Sequence, residues 1–97
     1  MQINPININS PSVASGSVGT TIVTPFSIAS GNTYAFIQNI SSVDMFLGIG
    51  FNPTTSTGIL IKANGGSAEF SGDFLPAGAY NLISVSGSSN AFTALYA

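Results

Sequence analysis

The chain has no cysteine, no histidine, no arginine and no tryptophan, and among its 97 residues only Lys62, Asp44, Glu69 and Asp73 carry a side-chain charge. Each absence closes a class of function. Without Cys there is no disulfide and no thiolate ligand, and the redox compartment is not legible. Without His, the commonest general base and metal ligand is missing, and neither a Ser-His-Asp nor a Cys-His arrangement can be built. One Lys and no Arg cannot neutralise several phosphates, which sets nucleic acid aside as a partner. The same count removes basic recruitment to an anionic membrane surface. No run approaches the roughly 20 apolar residues of a membrane span. The opening MQINPININSPS has neither the basic nor the apolar region of a signal peptide. A chain made and used in soluble form in the cytoplasm is the expectation.

The few groups that could do chemistry are scattered. Asp44, Glu69 and Asp73 match no metal-ligand spacing, and lone loop carboxylates are usually solvated. A Ser–Lys dyad would have to use Lys62. Gly48-Ile49-Gly50 and Asn64-Gly65-Gly66-Ser67 have the glycines of a phosphate loop but not its Gly-Lys-Ser/Thr ending or its strand–loop–helix context. Asn39-Ile40-Ser41 is a glycosylation sequon only for a secreted chain. No catalytic residue, metal or cofactor is expected, and the protein reads as a non-enzyme.

Polarity comes instead from 15 Ser, 8 Thr and 9 Asn, with 11 Gly and 5 Pro. Ser, Thr and Asn compete with the backbone for hydrogen bonds inside helices, so this composition favours strands and turns. A chain of this length forms one domain with a radius of gyration of about 13 Å. The clearest local signal lies in residues 59–86, ILIKANGGSAEFSGDFLPAGAYNLISVS. Asn64-Gly65 reads as a type I′ hairpin turn, since both of its central residues need φ > 0. That register pairs Ile61 with Ala68 and Ile59 with Phe70 on one face, and makes Lys62 and Glu69 diagonal neighbours on the other. Residues 34–39 and 45–51 read as a second hairpin, with Ile37 opposite Leu47, Ala35 opposite Ile49, and Phe36 lying over Gly48. Residues 80–86 and 91–97 read as a third, joined by Gly87-Ser88-Ser89-Asn90. There Val85 meets Phe92 and Ile83 meets Ala94 on the core face. Tyr80, Leu82 and Leu95 are then left as an apolar patch on a face that should be polar.

Residues 18–28 add one or two strands interrupted at Pro25, which suits an edge or a corner. About eight short strands, regular turn signals and no helical periodicity predict an all-β fold. The expected form is a small antiparallel β-sandwich, with a jelly roll as one arrangement of it. Residues 1–17 read as an extended N-terminal arm before a β-sandwich domain over 18–97. Ile3, Ile6 and Ile8 sit there among Asn, Ser and Pro. They are either part of a frayed terminus or first edge strand, or anchors laid on a neighbouring subunit.

A solitary β-protein normally guards its sheet edges with charge and stays dispersed through net charge. A formal charge of −2 spread over so few groups does neither. Permanent assembly into a symmetric oligomer or larger particle is the expected remedy. Ile3, Ile6, Ile8, Tyr80, Leu82 and Leu95 are the candidate interface residues.

The succession NISSVDMFLGIG (39–50), GILIKANGGSAEF (58–70), PAGAYNLISVSGSS (76–89) and FTALYA (92–97) resembles small tailed-bacteriophage virion proteins, several of them capsid decoration or cement proteins. The likeness covers roughly residues 36–97 and rests mostly on turn motifs, and this chain lacks most of the charged residues expected in that pattern. The resemblance implies a β-sandwich, often trimeric, that clamps adjacent capsomers from outside. Its partner would be the major capsid protein and its location the capsid surface of the virion. A carbohydrate- or receptor-binding module of a phage tail or fibre is the alternative. Tyr34, Phe36, Phe46 and Tyr80 could form its aromatic platform, or could serve core and interface packing instead.

Overall fold

A computed structural model describes residues 11–97. Among them run nine strands and no helix: β1 Ser12–Val13, β2 Gly16–Val18, β3 Val23–Ile28, β4 Tyr34–Asn39, β5 Met45–Ile49, β6 Ile59–Ile61, β7 Ser67–Ser71, β8 Gly78–Ser84 and β9 Asn90–Tyr96. β1 and β2 lie in one continuous register along β9, with Ser12 opposite Tyr96 and Gly16 opposite Phe92, so they act as a single strand broken at Ala14 and Ser15. The order in the first sheet is then β1/β2–β9–β4–β7, and in the second β3–β8–β5–β6.

The pairing is nested. The first strand pairs with the last, β3 with β8, β4 with β7 and β5 with β6, all antiparallel. This is a long hairpin wrapped on itself into two packed sheets, the jelly-roll form of the expected sandwich. Its core draws on both sheets: Ala35, Ile37, Phe92 and Ala94 from the first, Met45, Leu47, Ile61, Tyr80 and Leu82 from the second. On β4 the alternation is strict, with Ala35, Ile37 and Asn39 buried and Tyr34, Phe36 and Gln38 half-exposed on the outer face. Pro25 sits in edge strand β3, where the register against β8 shifts between Val23 and Phe26, a place that tolerates its missing N–H.

The three expected hairpins are instead arches between the sheets. Asn64 and Gly65 do have positive φ, 62° and 110°, as a type I′ turn needs. Yet the strands they join diverge, β6 pairing with β5 and β7 with β4. Ile61 and Ala68 both point inward, but across the core rather than side by side. The second and third hairpins fail likewise. Ile37 lies opposite Ala68 and Ala94, and Leu47 opposite Ile59 and Leu82. β8 and β9 belong to different sheets. A period of two sends a side chain to the core whether its partner strand lies beside it or faces it. Lys62 accordingly pairs with Asp44 at 3.5 Å, not with Glu69.

Two further expectations change with the topology. Tyr80 and Leu82, placed by the hairpin register on an outer face, are fully buried, while Ile83 takes the outward phase opposite Phe46. The arm expected over residues 1–17 shortens, because residues 12–13 and 16–17 are paired to β9 and the Ala14 N–H donates to the Ala94 carbonyl at 2.8 Å. For that stretch the edge-strand reading is the right one. Ile3, Ile6 and Ile8 lie outside the described residues.

Candidate functional site

The ionisable groups do not converge. Asp44 spends one carboxylate oxygen on the Ala63 N–H, at 2.8 Å, and the other on Lys62. Glu69 accepts a 2.6 Å hydrogen bond from the Tyr34 hydroxyl, which pushes the Tyr34 pKa up to about 12, with burial and the Glu69 charge adding to the effect. Asp73 lies exposed in the turn after β7. Among the described residues no three potential metal ligands gather.

The aromatic residues also separate. Tyr80 is a core residue, stacked on Phe26 at 4.8 Å between ring centres, met edge-on by Phe70 at 6.0 Å, and hydrogen-bonded through its hydroxyl to the Pro76 carbonyl at 2.7 Å. Burial raises its pKa. Tyr34 and Phe36 project from the outer face of the first sheet, whereas Phe46 lies on the outer face of the second. The four residues form no single platform.

What the sheets do assemble is a pair of apolar rows, one on each outer face. In the first sheet the registers align Val13, Leu95, Phe36 and Glu69 straight across β1, β9, β4 and β7. Tyr34 flanks this row on one side, and Gln38, Thr93 and Ser67 flank it on the other. Val13 is 72% exposed at the edge, and Leu95 and Phe36 are half-buried. Of the interface residues expected from the sequence, Leu95 alone among those described lies on an outer face.

In the second sheet Leu60, Phe46 and Ile83 align across β6, β5 and β8, with Ile83 itself covered and only 6% exposed. The β5–β6 loop folds back beside them. A Cβ on Gly48 would stand 2.5 Å from the Phe51 carbonyl oxygen and 2.9 Å from Pro53, so only glycine admits this loop. Phe51 and Pro53, rather than Phe36, therefore cover Gly48. Asn81 pins the loop, donating from Nδ2 to the Phe51 carbonyl at 2.9 Å while its Oδ1 accepts from the Thr24 hydroxyl at 2.6 Å. Phe51 and Leu60 are left about half exposed, at 50% and 46%. Sequence reasoning missed this row because it needs the β5–β6 and β5–β8 pairings. The one available sign was three consecutive apolar residues at 59–61, which cannot all face one core.

Comparison with known protein families, with curated proteins and with solved structures finds no match.

The sequon residue Asn39 is fully buried at the end of β4, donating to the Val43 and Ile61 carbonyls at 2.7 and 3.0 Å and accepting from Ser41. Its amide holds two arches together and is closed to modification. A shallow cavity of about 300 Å³ between the β2–β3 and β8–β9 connections is lined by Ser17, Thr20, Thr21 and Ser88 among others, with no ionisable group on its wall. Among the described residues the two outer faces offer apolar contact beside hydroxyls and amides.

Proposed function

We propose that this protein is a structural subunit of a bacteriophage virion, which decorates or cements the capsid by binding between subunits of the major capsid protein, and which does so as a homo-oligomer, a trimer by preference. The observation that carries this reading is the row Val13–Leu95–Phe36 on one outer face and the partly exposed Leu60, Phe46 and Phe51 on the other, in a chain with four charged side chains. A jelly roll exposed on both faces to water gains from covering such rows, and near-neutral contacts of this kind depend little on salt. Many weak contacts then add through multivalency. The sequence resemblance supplies the capsid as the partner. Residues 1–10, with Ile3, Ile6 and Ile8, are the segment proposed to lie across a neighbouring subunit.

The test is addition of the purified protein to heads of the encoding phage stripped of their surface proteins. Saturable binding at fixed stoichiometry to the head lattice is the expected result, and retention in the supernatant at all concentrations contradicts it. A second reading, a carbohydrate- or receptor-binding module, is favoured by Tyr34, Phe36 and Gln38 standing in sequence on the outer face of β4. Sugars stack on such half-exposed rings. Glycan-dependent shifts of the Tyr34 and Phe36 resonances, with no head binding, would select it.

A further inference from the structure

We propose that Asn64-Gly65 is a deamidation site which the folded protein holds closed through Asn39. Both residues of the pair are exposed, and Gly65 has no side chain to hinder its own nitrogen. The chemistry of such a pair is intramolecular. The Gly65 amide nitrogen, on losing its proton, attacks Cγ of Asn64. The Cγ–Nδ2 bond breaks and ammonia leaves, giving a five-membered succinimide. Water then opens either of its carbonyls to aspartate or isoaspartate.

In the fold that nitrogen is engaged. The Gly65 N–H donates to the Asn39 carbonyl at 2.7 Å, and the Asn39 N–H donates in return to the Gly66 carbonyl at 2.8 Å. The Asn64 N–H is held by the Ser41 carbonyl at 2.8 Å, and the Gly66 N–H by the Lys62 carbonyl at 3.0 Å. Asn39 cannot move to release them, since its side chain is fully buried and bonded to Val43, Ile61 and Ser41. Attack therefore requires the arch 62–66 to lift from the end of β4. Once it has reacted, the arch cannot close as before. The isoaspartyl product lengthens the backbone by one methylene, and both hydrogen bonds to Asn39 can no longer form together. Either product also sets a new carboxylate two residues from Lys62, in competition with Asp44. The turn thus keeps a one-way record of having opened, written as one added negative charge.

The experiment follows Asn64 in the full chain at mildly alkaline pH, native and in denaturant, by peptide mapping with isoaspartate detection. In denaturant Asn64 is expected to convert ahead of every other asparagine. In the native protein its conversion is expected to slow by at least about tenfold, since two or more hydrogen bonds must open first. Ser41→Ala, which removes the hydroxyl bonds to Asn39 and Val43 but keeps the backbone carbonyl that holds the Asn64 N–H, is expected to speed native conversion several-fold. Equal rates in the two states, or a folded Ser41→Ala protein with an unchanged rate, would overturn the proposal. Hydrogen exchange of the Gly65 amide in the unaltered protein gives a reading that does not depend on the variant. Strong protection supports the latch, and exchange at the unfolded-chain rate refutes it.

Discussion

The Tyr34 hydroxyl and the Glu69 carboxylate, 2.6 Å apart, tie the outer faces of β4 and β7 together diagonally, since Phe36 and not Tyr34 is the direct partner of Glu69. The bond needs the phenol proton. With its pKa raised from 10.0 to about 12 in the folded state, Tyr34 contributes stability that is complete below pH 10 and is lost as pH rises towards 12. Glu69→Gln should bring the Tyr34 titration back towards the ordinary value without moving that of Tyr80, whose rise comes from burial. Ultraviolet titration of the two proteins checks this. Because the pair is exposed, Tyr34→Phe should cost no more than about 1 kcal/mol at neutral pH.

Asn39 should matter far more to stability than any charged residue. Replacement by alanine takes the amide donor from the Ile61 carbonyl, leaves the Val43 carbonyl with the Ser41 hydroxyl alone, and removes the acceptor of the Ser41 N–H at the end of the core. A loss of about 3 kcal/mol is expected from the denaturant midpoint. A loss below about 1 kcal/mol would mean that water takes over the role.

Gly48→Ala should destabilise the β5–β6 loop by about 1–3 kcal/mol, because its Cβ would meet the Phe51 backbone carbonyl at 2.5 Å and not a movable side chain. The change should reach Phe51 and Asn81, visible as altered resonances and faster proteolysis across residues 50–58. An unaltered loop would contradict this packing.

Leu82 and Leu95, which the hairpin register put in one patch, should now behave differently. Leu82→Ala opens a cavity between two sheets and is expected to cost about 2–5 kcal/mol. Leu95→Ser should leave the unfolding midpoint nearly unchanged and weaken association instead. Equal effects of the two on stability would return Leu95 to the core.

How far the sequence could be read follows from these residues. The all-β class, the approximate strand positions from β3 onward and the positive φ of Asn64 and Gly65 were legible, because turn chemistry and alternation are local, and Pro25 narrowed its strand to an edge or a corner. The inward phase of Ala35 and Ile37 on β4, and of Ala68 and Phe70 on β7, was legible for the same reason. Sheet membership was not. An alternating pattern is satisfied equally by a strand beside its partner and by one facing it, so sheet-crossing arches passed for hairpins. On β8 both phases carry an apolar residue, Leu82 on one and Ile83 on the other, and only the pairing with β5 decides between them. The role of Asn39 was hidden because its partners, at 43 and 61, meet it only when two arches close at one end of the sandwich.

The central claim is that a chain so poor in charge covers its two apolar rows by assembling. It is tested most directly by the solution mass of the purified protein, from light scattering over a range of salt concentrations. A trimer or larger assembly whose mass does not change with salt is the predicted result. A monomer that persists at high protein concentration would contradict the claim, and would turn attention to Tyr34 and Phe36 as a ligand-binding face.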